Sequence, residues 1–325
     1  MATMNLRTGE SYPPRREDYI TKISGTSCAR PGTPHPLWSA FLERIAPDPE
    51  LRAFLQRFVG YAMTGDTSEH KFVFAYGTGA NGKSTFINTI MAIFGDYATV
   101  ADVGTFIAAA QERHPTDVAK LHGYRLVVAQ ETREGRHWDE AKLKAMTGGD
   151  KLTARFMRCD YFDFVPKFKL WIVGNHKPRL TNVDEAMRRR MLLVPFLVQI
   201  PVEERDPQLF EKLKPEGPAI MRWCTDGCLE WQRIGLAPPK IVTDATDDYF
   251  DDQDVIGQWL EERTTDGGLH AFTALNQLFA SWKSWCDERG LQAGGSQGVS
   301  DALADRGFVR RKTNGVRGFR GLILK

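Results

Sequence analysis

One stretch, Gly77-Thr78-Gly79-Ala80-Asn81-Gly82-Lys83-Ser84-Thr85, constrains this chain more than any other, because it meets the pattern G-x-x-x-x-G-K-[ST] at every fixed position. That pattern cradles the phosphates of a nucleoside triphosphate. Its glycines let backbone N–H groups curl around the phosphates, Lys83 reaches the β and γ oxygens, and the Ser84 hydroxyl is a ligand for Mg2+. A nucleoside triphosphate with Mg2+ is therefore the expected cofactor pair. The flanks agree: the apolar run before Gly77, from Lys71 to Tyr76, reads as a buried strand, and Phe86 to Phe94 reads as a helix.

The rest of the composition narrows the class. At 325 residues and 42% hydrophobic content, the chain buries a large core and divides into more than one unit. The longest apolar run, Met191 to Ile200, is interrupted by Pro195 and is about half of what a bilayer crossing needs. No charged-apolar-small signal opens the chain, so no membrane association is expected. Five scattered cysteines fit a reducing cytoplasm. The net charge of +2 conceals segregation. Six aspartates crowd 244–254, whereas Arg306 to Lys325 holds seven cations and no acid, which points to an acidic linker followed by a basic module.

Alternating strand-like and helical runs predict an α/β chain with a mainly parallel sheet covered on both faces. Strand candidates are Phe72–Ala75, Arg125–Ala129, part of Phe164–Val173, and Met191–Val194. The expected divisions are an extended, proline-rich lead-in (1–36), a helical collar (37–66), a nucleotide core (67–200), a helical extension (201–243), and a last part (244–325). That part comprises the acidic linker, two helices from Val255 to Trp285, a further short helix and a basic strand pair, an arrangement resembling a winged helix. Near the end of a buried strand, Glu131 is placed to hold a metal-bound water or to accept a proton from the attacking water.

The phosphate loop, the strand ending in Glu131, the Lys144–Arg155 block around Thr147-Gly148-Gly149-Asp150, an apolar strand leading to Asn175-His176-Lys177-Pro178, and Met187-Arg188-Arg189-Arg190 occur in a fixed order. In that order the chain resembles the superfamily 3 helicases, and within them the helicase half of phage and plasmid primase-helicases, which poxvirus enzymes also resemble. The likeness spans roughly Asn5 to Lys325. It implies an AAA+-like P-loop core, an ATP-dependent ring, by family habit a hexamer, and 3′-to-5′ travel on single-stranded or forked DNA. A primase or a loader protein is the implied further partner. Asn175 matches the polar sensor at the γ-phosphate, and Arg189 and Arg190 match paired arginines of which one reaches a neighbour's ATP. Lys144, Lys151, Arg155 and Arg158 match a DNA-gripping pore hairpin, with Gly148-Gly149-Asp150 as its turn and Phe156 or Tyr161 stacking on bases. Arg310, Arg311 and Lys312 are expected phosphate contacts of the basic module.

The chain departs from the resemblance in two respects. Gln130 stands before Glu131 where many relatives carry a second acid, leaving open whether Glu131 is base, metal-water ligand or both. The chain also begins about where the helicase half of its relatives begins and shows no acid cluster for nucleotide polymerisation, so no primase activity is expected. A replication initiator whose ATP site drives assembly on DNA, without processive unwinding, is the competing function.

Overall fold

The computed structural model describes residues 2–108, 114–131, 136–180 and 184–325. Two compact units emerge, 1–248 and 249–325.

The lead-in holds two short strands, β1 (Thr3–Asn5) and β2 (Glu10–Tyr12), and is strapped to the first unit by backbone bonds: Gly25 N–H to the Ile93 carbonyl and Ala29 N–H to that of Pro218. Two helices follow, α1 (Pro36–Ile45) and α2 (Pro49–Met63). Both have proline in the first turn, where a missing N–H costs nothing, and the Asp48 carboxylate caps α2 by accepting from Glu50 N–H at 2.8 Å. The nucleotide core then runs through β3 (Phe72–Tyr76), α3 (Lys83–Phe94), β4 (Ala98–Ala101), α4 (Thr116–Ala119), β5 (Leu126–Glu131), α5 (Glu140–Gly148), β6 (Leu152–Ala154), β7 (Phe162–Phe164), β8 (Lys169–Gly174), α6 (Glu185–Arg188) and β9 (Met191–Pro195). Helices α7 (Leu209–Leu213), α8 (Gly217–Ile234) and α9 (Lys240–Gln253) complete the run.

Five of these strands form one parallel sheet in the order β4-β5-β8-β3-β9. Strands β8 and β9 are buried at every residue and β3 at all but Tyr76, the signature of a sheet covered on both faces. Strand β4, not foreseen in the sequence, is an edge with Val100 facing outward. The two helices expected as a separate collar share one continuous core with the sheet. Trp38 of α1 stacks on Phe86 of α3 at 5.7 Å, and Phe86 meets Trp171 of β8 at 5.6 Å. Helices α2 and α8 cross where Gly60 faces Gly227. A Cβ on Gly60 would stand 2.0 Å from the Cys228 nitrogen and one on Gly227 2.1 Å from the Gln56 carbonyl, so only glycine permits this approach.

The aspartate-rich stretch is helical, and the boundary between the two units falls within that helix. Helix α9 buries Val242 in the core, and the Thr246 hydroxyl accepts the N–H of Leu193 on edge strand β9 at 3.0 Å. Its aspartates fall on exposed positions, and Asp247 pairs with Arg188.

The second unit runs α10 (Val255–Arg263), β10 (Thr264–Ala274), α11 (Leu275–Glu288), α12 (Ser296–Asp305), β11 (Arg310–Thr313) and β12 (Val316–Leu324). Its antiparallel sheet has the order β10-β12-β11. Strand β10 falls between the two helices expected from Val255 to Trp285; its Thr-Thr-Asp-Gly-Gly opening hid it from a periodicity reading. Register slips where Gly268 faces Gly321, both at positive φ. This bulge lets Phe319 and Leu322, three residues apart, both point inward. Trp259, Trp282 and Trp285 fill the core beneath.

Candidate functional site

At the carboxyl end of β3 the chain turns through Gly77 (φ 156°), Gly79 (φ 99°), Ala80 (φ 49°) and Gly82 (φ 81°) before α3 begins at Lys83. Gly77 admits no side chain, since its Cβ would lie 2.2 Å from the Phe196 carbonyl oxygen. Three bonds tie this loop to the segment after β9: Phe196 N–H to the Tyr76 carbonyl (2.8 Å), Asn81 Nδ2 to that of Phe196 (3.0 Å), and Ile200 N–H to that of Ala80 (2.8 Å). Asn81, a variable position of the sequence pattern, is thus buried and shapes the loop. Nothing in the pattern itself foretold it.

Gly79 through Thr85 line a cavity of about 370 Å³ together with Gln130, Val173, Gly174 and Asn175. Neighbouring parallel strands deliver these residues to one edge: Gln130 pairs with Val173 and Glu131 with Gly174 across β5 and β8. The expected sensor Asn175 therefore sits opposite the phosphate loop. Glu131 ends β5 beside it; its side chain lies outside the described residues. Lys83 is buried and donates to the Gly77 carbonyl at 2.6 Å. Burial holds its ammonium down at about 8. Thr78 belongs to the same turn. The volume falls within the range of small-ligand sites, and the exposed Ser84 hydroxyl lies on the cavity wall, so the donor set fits a triphosphate with Mg2+.

The opposite edge is cationic. Lys169 opens β8 fully buried, donating to the carbonyls of Thr64 and Asp66 at 2.7 Å each, with its ammonium 4.4 Å from the centre of the Tyr61 ring. Burial, then the charge of Arg125, pushes its pKa far down. The paired arginines lie at this edge too, because Arg190 directly precedes β9 and its carbonyl accepts from Phe72 N–H. They differ from each other: Arg189 is exposed, whereas Arg190 turns back, donating Nη1 to the Ala186 carbonyl with its Nε buried. A strand of five residues at about 3.3 Å each puts them roughly 17 Å from their own phosphate loop.

The expected pore segment resolves into separate pieces. Gly148-Gly149-Asp150 is not a hairpin turn: Gly148 ends α5, and Gly149 (φ 80°) is its left-handed cap. The hairpin lies further on, with β6 and β7 paired from Leu152↔Phe164 to Ala154↔Phe162. Its tip carries Arg155, Arg158 and exposed Phe156, Met157 and Tyr161, with the Arg155 guanidinium 4.6 Å from the Tyr161 ring. Lys151 is exposed just before β6, while Lys144 on α5 is held in an ion pair by Asp184. In the second unit Arg310, Arg311 and Lys312 are exposed on β11.

A phosphate loop at the carboxyl edge of a five-stranded parallel sheet defines a mixed α/β protein with a P-loop-like core. Residues 75–190, from that strand to the arginines, match a family described as of unknown function, DUF5906. Over 248 residues the chain is 27% identical to "Putative helicase L207/L206" of Acanthamoeba polyphaga mimivirus, covering 68% of this chain and 26% of that protein. It is 26% identical over 245 residues to "Putative helicase 022R" of Frog virus 3 (isolate Goorha), covering 69% and 25% respectively. The chain thus spans about a quarter of the length of the curated relatives it matches. Its fold resembles the apo structure of the NrS-1 C-terminal region, with TM-score 0.53 and 10% identity over 91% of this chain and 78% of that one. The chain is thus a relative of viral proteins bearing helicase names. Those viruses give no support to the cytoplasm of a bacterial host, the location expected from the resemblance to phage and plasmid enzymes. Among the described residues no helix is long and apolar enough to cross a membrane.

Proposed function

We propose that the chain is the ATP-driven motor of a replicative DNA helicase, acting as a ring, by family habit a hexamer, that travels 3′ to 5′ along single-stranded DNA. The observation that carries this is the separation of two sets of groups on one sheet. Lys83, Ser84, Gln130 and Asn175 gather at the carboxyl edge, while Arg189 is exposed at the amino edge. An arginine so far from its own phosphate loop can meet a γ-phosphate only on a neighbouring copy.

Within one site, the Gly77–Thr85 backbone binds the triphosphate, and Lys83 exchanges the Gly77 carbonyl for phosphate oxygens. Asn175 orients the attacking water, and Glu131 accepts its proton. Mg2+, held through Ser84, neutralises charge on the phosphates when bound. Arg189 of the next subunit offsets charge in the transition state, a contribution of about a thousandfold. The β6–β7 tip, with Arg155 and Arg158, would follow the DNA backbone while Phe156 and Tyr161 stack on bases. In the second unit, the order helix–strand–helix–helix–strand–strand supports a winged-helix module for forked DNA.

The test is ATP hydrolysis with and without single-stranded DNA, on wild type, Lys83→Ala and Arg189→Ala, singly and mixed. DNA-stimulated turnover that each variant loses and the mixture partly regains supports a shared site in a ring. Turnover indifferent to DNA would sink the helicase reading.

A further inference from the structure

The second unit separates its charges. Residues 249–325 hold ten Lys or Arg and ten Asp or Glu, so the unit is neutral as a whole, yet every acid lies before Arg306. Four cations are neutralised, Arg263 by Glu288, Arg289 by Glu262, Arg306 by Asp254, and Arg310 by Asp301 of α12, whereas Lys283 on α11 is exposed and stands apart from the hairpin. Among the described residues Arg311, Lys312, Arg317 and Arg320 make no ion pair, and all four are exposed on the β11–β12 hairpin. The turn at its tip, Asn314-Gly315, has both residues at positive φ (50° and 81°), as a tight two-residue hairpin requires.

The register sorts the four. Lys312 stands directly opposite Arg317, one pair from the turn. Arg311 faces Gly318, and Arg320, two residues further along β12, shares that other face. Like charges directly opposite each other destabilise a ladder. The Lys312–Arg317 pair is therefore a standing cost that a polyanion lying along the hairpin would relieve. Helix α12 has the opposite character: from Ser296 to Asp305 it has no Lys or Arg, and it exposes the acid Asp305, while Asp301 is paired with Arg310. A helix entering a DNA groove passes between two rows of phosphates, where such acids are repelled.

We infer that this module grips duplex DNA through its hairpin alone, by the phosphate backbone and without reading sequence, using Arg311, Lys312, Arg317 and Arg320 and not α12 or the neutralised Arg310. The inference rests on the module's assignment to DNA under the proposed function.

The test is binding of the full chain to hairpin-capped duplexes of differing sequence, which offer no free single strand, followed by fluorescence anisotropy across a salt series. Replacing the four cations by Ala should weaken binding about 10- to 100-fold and flatten the salt slope by about three to four. Ser296→Ala with Gln297→Ala should leave binding unchanged, and wild-type affinity should be alike for all sequences. Lys312→Glu should weaken binding without lowering the melting temperature, an outcome that a purely structural role for Lys312 would reverse. Loss of binding in the α12 variant, a strong sequence preference, or full binding by the hairpin variant would overturn the inference while single-strand-stimulated hydrolysis still upheld the motor. Salt-dependent duplex binding by the hairpin, alongside hydrolysis indifferent to single strands, would uphold the inference and remove the motor.

Discussion

The two edges of the parallel sheet carry similar polar residue types and treat them in opposite ways. At the carboxyl edge, Gly79, Ser84, Gln130 and Asn175 surround open space, and Lys83 is held by one carbonyl that a phosphate can replace. At the amino edge, Lys169 is committed to two carbonyls and a ring face, and Arg190 is folded back on Ala186. The first edge keeps its polar groups exchangeable, and the second spends them on closing the ends of helices and strands. A buried cation is therefore not in itself a sign of chemistry; what distinguishes Lys83 from Lys169 is the cavity in front of it.

The largest effect that tests this contrast is on turnover. Lys83→Ala and Arg189→Ala should each lower ATP hydrolysis by about a thousandfold with little change in the urea midpoint, whereas Arg190→Ala should lower the midpoint. If Arg190→Ala kept full stability and lost turnover while Arg189→Ala did neither, the assignment of outward and inward arginines would be reversed. Lys169→Ala, at the other edge, should cost about 3 kcal/mol in urea unfolding, since it strands the Thr64 and Asp66 carbonyls. Nucleotide affinity measured in urea below its unfolding range should stay unchanged.

Packing supplies a smaller effect. Gly60→Ala forces apart two helix backbones and should cost about 1–3 kcal/mol, read as a fall in the urea midpoint with an unaltered slope. The smallest effect concerns pH. Lys83 loses its proton near 8 in the folded chain against 10.5 when unfolded, so between these values the unfolded chain carries more protons. The contribution of Lys83 to stability should then rise with pH across that window, with the full burial penalty present below 8. Urea midpoints for wild type minus Lys83→Met should climb from pH 8 to 10.5; a flat difference would mean that the ammonium is not desolvated.

The phosphate loop and the strand and helix around it were legible in the sequence because each follows from local pattern, fixed glycines and an apolar run, whereas Asn175 was named only through the resemblance to helicases. What was not legible depends on distant partners. The Asn81 bond to Phe196 joins residues 115 apart, and β4 reads as a strand only once β5 lies beside it. The helical state of the aspartate run was hidden because its charges drew attention from Val242 and Thr246, the positions that face the core. Gly148-Gly149 looked like a hairpin turn because helix caps and turns demand the same backbone freedom.

The bond from Lys83 to its own loop has a consequence for selectivity by valency. A lone orthophosphate offers few contacts in exchange for the displaced Gly77 carbonyl, while a triphosphate engages loop, lysine and helix end at once, each contact raising the effective concentration of the next. On the proposed nucleotide role the loop would behave as a chelate filter, favouring chains of phosphates over single ions.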